Sequence, residues 1–460
     1  MPNTKKVRNS RPKNWLPKKA KDIEKFLKKF KKDYIEDSKK YKKLYELITK
    51  YHPIIKKGQA GTKEELRPYV TKKEIEELDL HEPVRELYVL IITDPEVNMF
   101  FNQMFWNQNP EYEKLCDSWQ DFIVQLDAIM TYTPVYSRDA LVGFPINALV
   151  NWPMATADGY ACFLNDKVNA ILKRVLNYWA QFLMSPASRS VLHSGEEGWF
   201  CEDALKDMED DFGNSFTDQF QCNSDEEHYG FKSWDDFFTR QFRPGVRPLP
   251  SPDADNIIAN ACESAPYKIE TGVNPKSVFW MKEQPYSLDH MLSHNGWAEY
   301  FHGGTIYQAF LSALSYHRWH SPISGTIIET EIIDGSYYSQ THVIQDDYAS
   351  PNMSQGYITH VAARAVIYIM ADNPLIGVLG FVSIGMSEVS SNDITVKKGQ
   401  HVEKGEQLGM FHFGGSTHCL LFRPGVSVQW EECCQNPSLD ADNIPLHQKI
   451  GTVMKATQPK

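Results

Sequence analysis

The chain has 460 residues, 42% of them hydrophobic and 23% charged, with a formal net charge of −11. That length allows two to four domains with sizeable cores, and the composition is ordinary for a globular protein. The charge is uneven: residues 1–60 hold 20 Lys/Arg against 6 Asp/Glu, a local +14, so the other 400 residues carry −25. An acidic body of that size argues against nucleic acid as a partner. No apolar segment follows the basic N-terminus, as one would in a secretory signal. The longest nearly apolar run, residues 376–386, is too short and too rich in glycine to cross a bilayer. The eight cysteines have irregular spacings, with Cys433 and Cys434 adjacent. That is no disulfide framework, and it points to a reduced, cytoplasmic setting.

Residues 1–20 are basic and contain Pro2, Pro12 and Pro17, which reads as a disordered tail. Over residues 21–60 the pattern becomes that of a basic amphipathic helix. Ile23, Phe26, Leu27, Phe30, Tyr34, Tyr41, Leu44, Tyr45 and Ile48 recur at three- and four-residue steps, with lysines between them. The favoured reading is a helix packed on its own protein; the alternative is a peripheral helix on an anionic membrane. Residues 61–215 continue in helical style as one domain. Asp94-Pro95 reads as a cap with proline at the first helical position. At residues 233–250 a helix is predicted to open on Ser233 and to stop at Pro244-Gly245. Beyond about residue 255 the runs become short, β-branched and separated by Gly, Asn and Pro, as in "NIIANA", "GTIIETEII", "AVIYIMA", "IGVLGFVSIG" and "GVSVQW". "VKKGQHVEKGEQLGMF" reads as short paired strands around tight turns. The expected fold class is α+β, an N-terminal helical domain followed by a β-rich domain over residues 225–460.

The stretch "FHFGGSTHCLLF", residues 411–422, puts Gly414, Gly415 and Ser416 into what otherwise reads as a buried strand. Glycine there marks a bend or a close backbone approach. A hydrolase elbow of the form G-x-S-x-G fails, because position 418 is His. A structural bend is one remaining reading. The other makes the Gly415–Ser416 bond itself a substrate, with the serine hydroxyl attacking the preceding carbonyl; glycine leaves that carbonyl open. Such a shift needs a base and an oxyanion donor. His317 and His320 in "YHRWHSPISG" are candidate bases. They would face opposite ways in a strand and could converge in a turn. They could equally be structural, or half of a metal site with His290 and His294, a reading that lacks an accompanying Glu. Glu263 in "NACESAPYKI" is one of many acids that could orient the base.

Four segments in order then make a specific signal: "SWDDFFTRQFRPGVRPL", "PYSLDHML", "YHRWHSPISG" and "KGEQLGMFHFGGST". Together they resemble the phosphatidylserine decarboxylase family, whose members cut themselves at a Leu-Gly-Ser-Thr motif and convert the serine to a pyruvoyl group. Gly414 stands in place of the usual Leu, and Glu263 aligns with the family's Asp. Both departures, with "ACES", "IGMSEVS", "MFHFGGS", "DPEVNMFFNQMF" and "PVYSRDALV", are similar to the L-tryptophan decarboxylase-like branch. The resemblance implies a carboxy-lyase cut at Gly415–Ser416 into a large chain ending at 415 and a small chain of residues 416–460 that stay associated. Ser416 would be the source of a covalent pyruvoyl cofactor. His320 would be the base for cutting, Glu263 its orienting carboxylate and His317 the proton donor in turnover, with no metal. The expected substrate is a free, tryptophan-like L-amino acid. The alternatives are phosphatidylserine, with peripheral membrane contact and a place in phospholipid synthesis, and an inactive relative serving as a binding scaffold.

Overall fold

The computed structural model describes residues 20–54, 70–108, 114–137, 144–210, 212–277, 285–311, 315–340, 354–388, 391–413, 415–438 and 441–454. Of the tail expected over residues 1–20, residues 1–19 lie outside the described residues, as do Gly414 and most of "SRDALV".

Helices fill the first half. They are α1 (Ala20–Phe30), α2 (Lys39–Tyr51), α3 (Lys72–Glu77), α4 (Glu82–Thr93), α5 (Pro95–Trp106), α6 (Trp119–Ile129), α7 (Pro145–Val150), α8 (Ala157–Leu164), α9 (Asp166–Leu183), α10 (Glu202–Asp207), α11 (Phe216–Gln219) and α12 (Trp234–Phe238). A π-helical turn, Lys31–Glu36, joins α1 to a break at Asp37–Ser38, where the Ser38 hydroxyl accepts from the Tyr41 amide and starts α2. Helix α6 is buried at every residue and forms the centre of this half. On α9, Val168, Ile171, Leu172, Val175, Leu176, Trp179 and Leu183 make one buried face at the three- and four-residue spacing of an amphipathic helix. Asp94 caps α5, accepting from the Glu96 and Val97 amides, with Pro95 at the first helical position. Ser233 caps α12, but that helix ends at Phe238, short of Pro244-Gly245. It ends because Phe242 takes an extended pairing with Phe220, so the Gln221 and Arg243 amides bond to the Gln241 and Gln219 carbonyls.

The second half holds thirteen strands among the described residues: β1 (Ile257–Ala259), β2 (Ala265–Thr271), β3 (Thr305–Leu311), β4 (Arg318–His320), β5 (Gly325–Ile333), β6 (Arg364–Ala371), β7 (Val378–Met386), β8 (Asn392–Ile394), β9 (His401–Val402), β10 (Gln407–Phe411), β11 (Gly415–Phe422), β12 (Ser427–Trp430) and β13 (Lys449–Met454). Three short helices lie among them, α13 (Leu288–Met291), α14 (Trp297–Phe301) and α15 (Gln355–Val361). The main sheet has seven antiparallel strands in the order β2-β3-β11-β7-β6-β5-β9, and two three-stranded sheets run β4-β10-β8 and β1-β13-β12. Strand β7 is buried along its whole length, which is why its run is apolar without alternation. The glycines at 399 and 405 have φ of +85° and +86° and make the tight turns that the "VKKGQHVEKGEQ" stretch implies. The strands they flank pair elsewhere, β9 with β5 and β10 with β4 and β8. The chain is thus α+β, with its helices mainly in the first half and its strands in the second.

Candidate active site

Gly415 and Ser416 open β11, which lies between β3 and β7 in the middle of the main sheet. Gly415 is opposite Met386, and Ser416 is opposite Leu311 and Gly385. The start of this strand is pinned through its next residue. Tyr286, from "PYSLDHML", donates its hydroxyl to Gln308 Oε1 at 2.5 Å; Gln308 Nε2 donates to Thr417 Oγ1 at 3.0 Å; Thr417 Oγ1 donates to the Ala309 carbonyl at 2.9 Å. The residue before the glycines is gripped by aromatic rings. Phe413 stands edge-on to Trp179 at 4.8 Å and to Trp234 at 4.7 Å, and it also meets Phe144 and Phe238. All four rings belong to the helical half, so that half holds the chain directly ahead of Gly415. His412 is bound to Asp235, with Nδ1 3.1 and 3.0 Å from its two oxygens, and that hydrogen bond raises the pKa of the imidazole.

The "YHRWHSPISG" segment forms β4 against β10. His317 is fully buried and stacks on Phe238 with ring centres 4.1 Å apart, and its carbonyl accepts from the Phe411 amide. Because Phe238 touches both His317 and Phe413, His317 lies beside the chain that leads to Gly415. Burial pushes its pKa well below the ordinary value, so the ring is neutral. Arg318 ties the strand to the helical segment through the Thr239 carbonyl at 2.7 Å and to Gln407 at 2.9 Å. Trp319 packs between Phe381 and Phe411, and Gly409 lies so close that a Cβ there would come within 2.5 Å of the indole.

His320 has a different set of neighbours. Its amide donates to the Ala261 carbonyl, its Nδ1 is 2.8 Å from the Gly405 carbonyl, and its Nε2 is 3.1 Å from the Tyr316 hydroxyl. Tyr316 itself stacks on Phe242 at 4.3 Å. A carbonyl oxygen only accepts, so His320 Nδ1 carries the hydrogen and Nε2 keeps the lone pair. Burial pushes the pKa of His320 down to about 3, and the ring is neutral at ordinary pH. His317 and His320 are therefore three residues apart in sequence and lie in separate surroundings, one on Phe238 and one on Tyr316.

Glu263 is buried and follows Ala261, whose carbonyl holds His320. Its carboxylate is bound by Arg247, with Nε to Oε1 at 2.5 Å. Arg247 also reaches Asp210 at 3.1 Å and Gln219 at 3.3 Å and lies over the Phe242 ring. The ring of His320 is met instead by His447, whose Nε2 is 3.2 Å from His320 Nδ1 and whose Nδ1 is 2.8 Å from the Arg247 carbonyl. Sequence reading missed both Arg247 and His447. Arg247 lies within the "RPGVRPL" segment, whereas His447, in "IPLHQKI", has no spacing or periodicity to mark it. His290 and His294 have local partners of their own: α13 ends at Met291, His290 bonds to Ser287 at 2.8 Å, and His294 bonds to Asp289 at 2.7 Å.

A second buried acid connects the two halves. Glu388 lies two residues past Met386, the register partner of Gly415, and its Oε1 accepts from the Asn147 amide of α7 at 2.7 Å. Between them Ser387, at a left-handed φ of +57°, donates to Asn147 Oδ1 at 2.9 Å.

Sequence models described as phosphatidylserine decarboxylase match residues 81–208 and 234–437. The chain is 41% identical over 303 residues to decarboxylase iboD of Amanita muscaria, covering 63% of this chain and 87% of that protein. It is 34% identical over 400 residues to an L-tryptophan decarboxylase of Psilocybe cubensis, covering 83% and 88%. It is 29% identical over 231 residues to phosphatidylserine decarboxylase proenzyme 3 of Schizosaccharomyces pombe, covering 50% and 23%. With both halves matched, and with Gly415–Ser416 at the head of an interior strand of the main sheet, this chain belongs to the phosphatidylserine decarboxylase family and is a decarboxylase, a carboxy-lyase.

Proposed function

We propose that the chain cuts itself between Gly415 and Ser416, that Ser416 becomes a pyruvoyl group, and that the mature enzyme decarboxylates a free aromatic L-amino acid to an amine and carbon dioxide. The observation that carries this reading is the position of the bond. It opens an interior strand of the main sheet, between an aromatic clamp on Phe413 and a hydrogen-bonded Thr417. The donor set fits such a group: a neutral His320 whose Nε2 lone pair meets the Tyr316 hydroxyl, and a neutral His317 beside the segment preceding Gly415.

In cutting, the Ser416 hydroxyl oxygen bonds to the Gly415 carbonyl carbon as that carbon releases the Ser416 nitrogen. His320 Nε2 takes the hydroxyl proton and returns it to the nitrogen. Loss of the Ser416 Cα proton then expels the Gly415 carboxylate by breaking the Oγ–Cβ bond. Uptake of water at the residue left behind releases ammonia and completes the carbonyl. A pyruvoyl group supplies a carbonyl that takes up a primary amine and draws electrons from the bond to the carboxylate. In turnover His317 holds one ring proton for the substrate α-carbon, and the aromatic rings around Phe413 and Phe238 exclude water from it.

The choice of an amino acid is supported by likeness to an L-tryptophan decarboxylase over 83% of this chain, the helical half included. Phosphatidylserine, giving phosphatidylethanolamine, is the second reading, and its support is the lysine-rich N-terminus. Lys31 and Lys40 are instead engaged by Asp121 and Asp127 of the protein itself. Among the described residues no helix is long and apolar enough to cross a membrane. All eight cysteines are free, which supports a cytoplasmic setting.

Denaturing mass analysis of the purified protein is expected to find residues 1–415 and 416–460 as separate, associated chains, the smaller one blocked at its N-terminus. Ser416→Ala should leave one intact, inactive chain. Carbon dioxide release should follow addition of L-tryptophan or another aromatic amino acid and not of phosphatidylserine vesicles. An uncut chain that still decarboxylates would overturn the pyruvoyl reading, and turnover of the vesicles alone would overturn the substrate.

A further inference from the structure

We propose that His447 is the positioning residue that fixes the base His320 for self-cleavage, and that Glu263 acts one step further away, by holding Arg247, whose carbonyl fixes His447. This rests on the self-cleavage reading above.

The argument follows from which atoms can donate. The Arg247 carbonyl only accepts, so His447 Nδ1, 2.8 Å away, carries a hydrogen. Its Nε2 lies 3.1 Å from the Gly405 carbonyl and 3.2 Å from His320 Nδ1, and with one hydrogen on the ring it is the acceptor. That acceptor is 3.2 Å from His320 Nδ1, whose hydrogen also points at the Gly405 carbonyl 2.8 Å away. Two acceptors thus share one hydrogen on His320, which holds it on Nδ1 and leaves Nε2 as the basic atom. The alternative tautomer would set the Nδ1 lone pair against both a carbonyl oxygen and the His447 lone pair. When His320 takes the proton from Ser416, its Nδ1 becomes more acidic and both bonds strengthen, which is what an orienting partner contributes to a histidine base.

The backbone keeps His447 in place. Its amide donates to the Asn260 carbonyl, and its own φ is +69°, a left-handed conformation unusual for a residue with a side chain. Gly405, which supplies the other acceptor, has a φ of +86°, and a Cβ on it would come within 3.3 Å of His447 Nε2. The His320 and His447 rings lie 5.0 Å apart and are nearly perpendicular. Glu263 and Asp210 hold the Arg247 guanidinium on opposite sides, Nε to Oε1 at 2.5 Å and Nη1 to Oδ2 at 3.1 Å. The route from carboxylate to base is therefore Glu263, Arg247, His447, His320.

The test uses the full chain made by cell-free translation, with cutting followed on gels over time. Glutamine can place an acceptor where His447 Nε2 is; asparagine can reach only the Arg247 carbonyl; phenylalanine does neither. His447→Gln should cut at least about tenfold faster than His447→Asn and His447→Phe, since losing the orienting partner of a base typically costs between tenfold and 10⁴-fold. Glu263→Gln, which still accepts from Arg247, should slow cutting less than His447→Phe does. Each variant is also made in the Ser416→Ala background, where its melting temperature separates misfolding from slow chemistry. The proposal is overturned if His447→Asn cuts as fast as His447→Gln, if folded His447→Phe cuts at the parent rate, or if Glu263→Gln stops cutting while His447→Phe does not. Failure of the parent chain to cut at all would sink the self-cleavage reading instead.

Discussion

His317 and His320 are the same side chain three residues apart, and their surroundings give them different work. His320 is wired through polar atoms, to Tyr316, Gly405 and His447. His317 is sandwiched in an aromatic cluster, on Phe238 and one ring away from Phe413. We expect His320→Ala to accumulate uncut precursor. His317→Ala should still cut, at least in part, yet decarboxylate about 10²- to 10⁴-fold more slowly, the usual worth of a positioned proton donor. Gel analysis with carbon dioxide release on the same samples checks both, and normal cutting and turnover in the two variants would remove the assignment. Both histidines were legible in the sequence because they lie in one ten-residue motif. Which side chain orients His320 was not legible. Glu263 was nominated by alignment with the family's Asp, but its partner Arg247 lies 16 residues away and His447 lies 127 residues from His320. Neither contact has a sequence period: Arg247 and Glu263 come from the segments on either side of β1, and His447 comes from the loop before β13.

At the scale of elements, two of the contacts that join the helical half to the sheet lie close in chain or register to the scissile bond. One is the aromatic clamp on Phe413, and the other is Glu388 on the first turn of α7. Glu388 has one oxygen bonded to the Asn147 amide and the other without a hydrogen-bond partner among the described residues. Burial therefore pushes its carboxyl up to about 8. A carboxyl whose folded pKa is raised holds its proton in the folded chain while the unfolded chain releases it. Its contribution to stability is thus full below the ordinary carboxyl value of 4.5 and falls as the pH rises toward about 8. Glu388→Gln keeps an acceptor for Asn147 and removes that dependence. Its melting temperature, relative to the parent chain, should rise progressively between about pH 5 and about pH 8. A constant or shrinking difference across that range would mean that Glu388 is charged in the folded protein. The individual strands were readable from their β-branched runs, and the caps at Asp94 and Ser233 from local chemistry. The length of α12 was not, because an extended pairing between Phe242 and Phe220 outweighs the helical tendency of "TRQF".

The whole molecule is divided by charge, a basic N-terminal segment against an acidic body, and the structure shows where much of that charge goes. Ile23, Leu27, Phe30, Leu44, Ile48 and Tyr51 of α1 and α2 are buried, and Phe26, Phe30 and Tyr34 gather around Tyr132. Lysines beside that apolar face reach acids of the body: Lys31 to Asp121 at 3.3 Å, Lys40 to Asp127 at 3.1 Å, and Lys29 to Glu197. Asp121 and Asp127 belong to the fully buried α6, so the lysines are their access to positive charge, with His81 also on Asp127. An apolar face already covered by its own protein is not available to a lipid surface. Deleting residues 1–60 should therefore weaken the fold itself. It would uncover α6 and leave the buried Asp121 without its partly exposed partner Lys31, and a buried charge left without its partner is destabilising. We expect the truncated Ser416→Ala precursor to melt well below the full-length one. The point substitution Ile48→Ala, at a fully buried site on α2, should by itself cost about 2–5 kcal/mol. Thermal and urea unfolding measure both. A truncated chain as stable as the parent, together with salt-sensitive binding to acidic vesicles that vanishes on truncation, would mean that these helices serve a membrane and would return phosphatidylserine to the head of the candidate substrates.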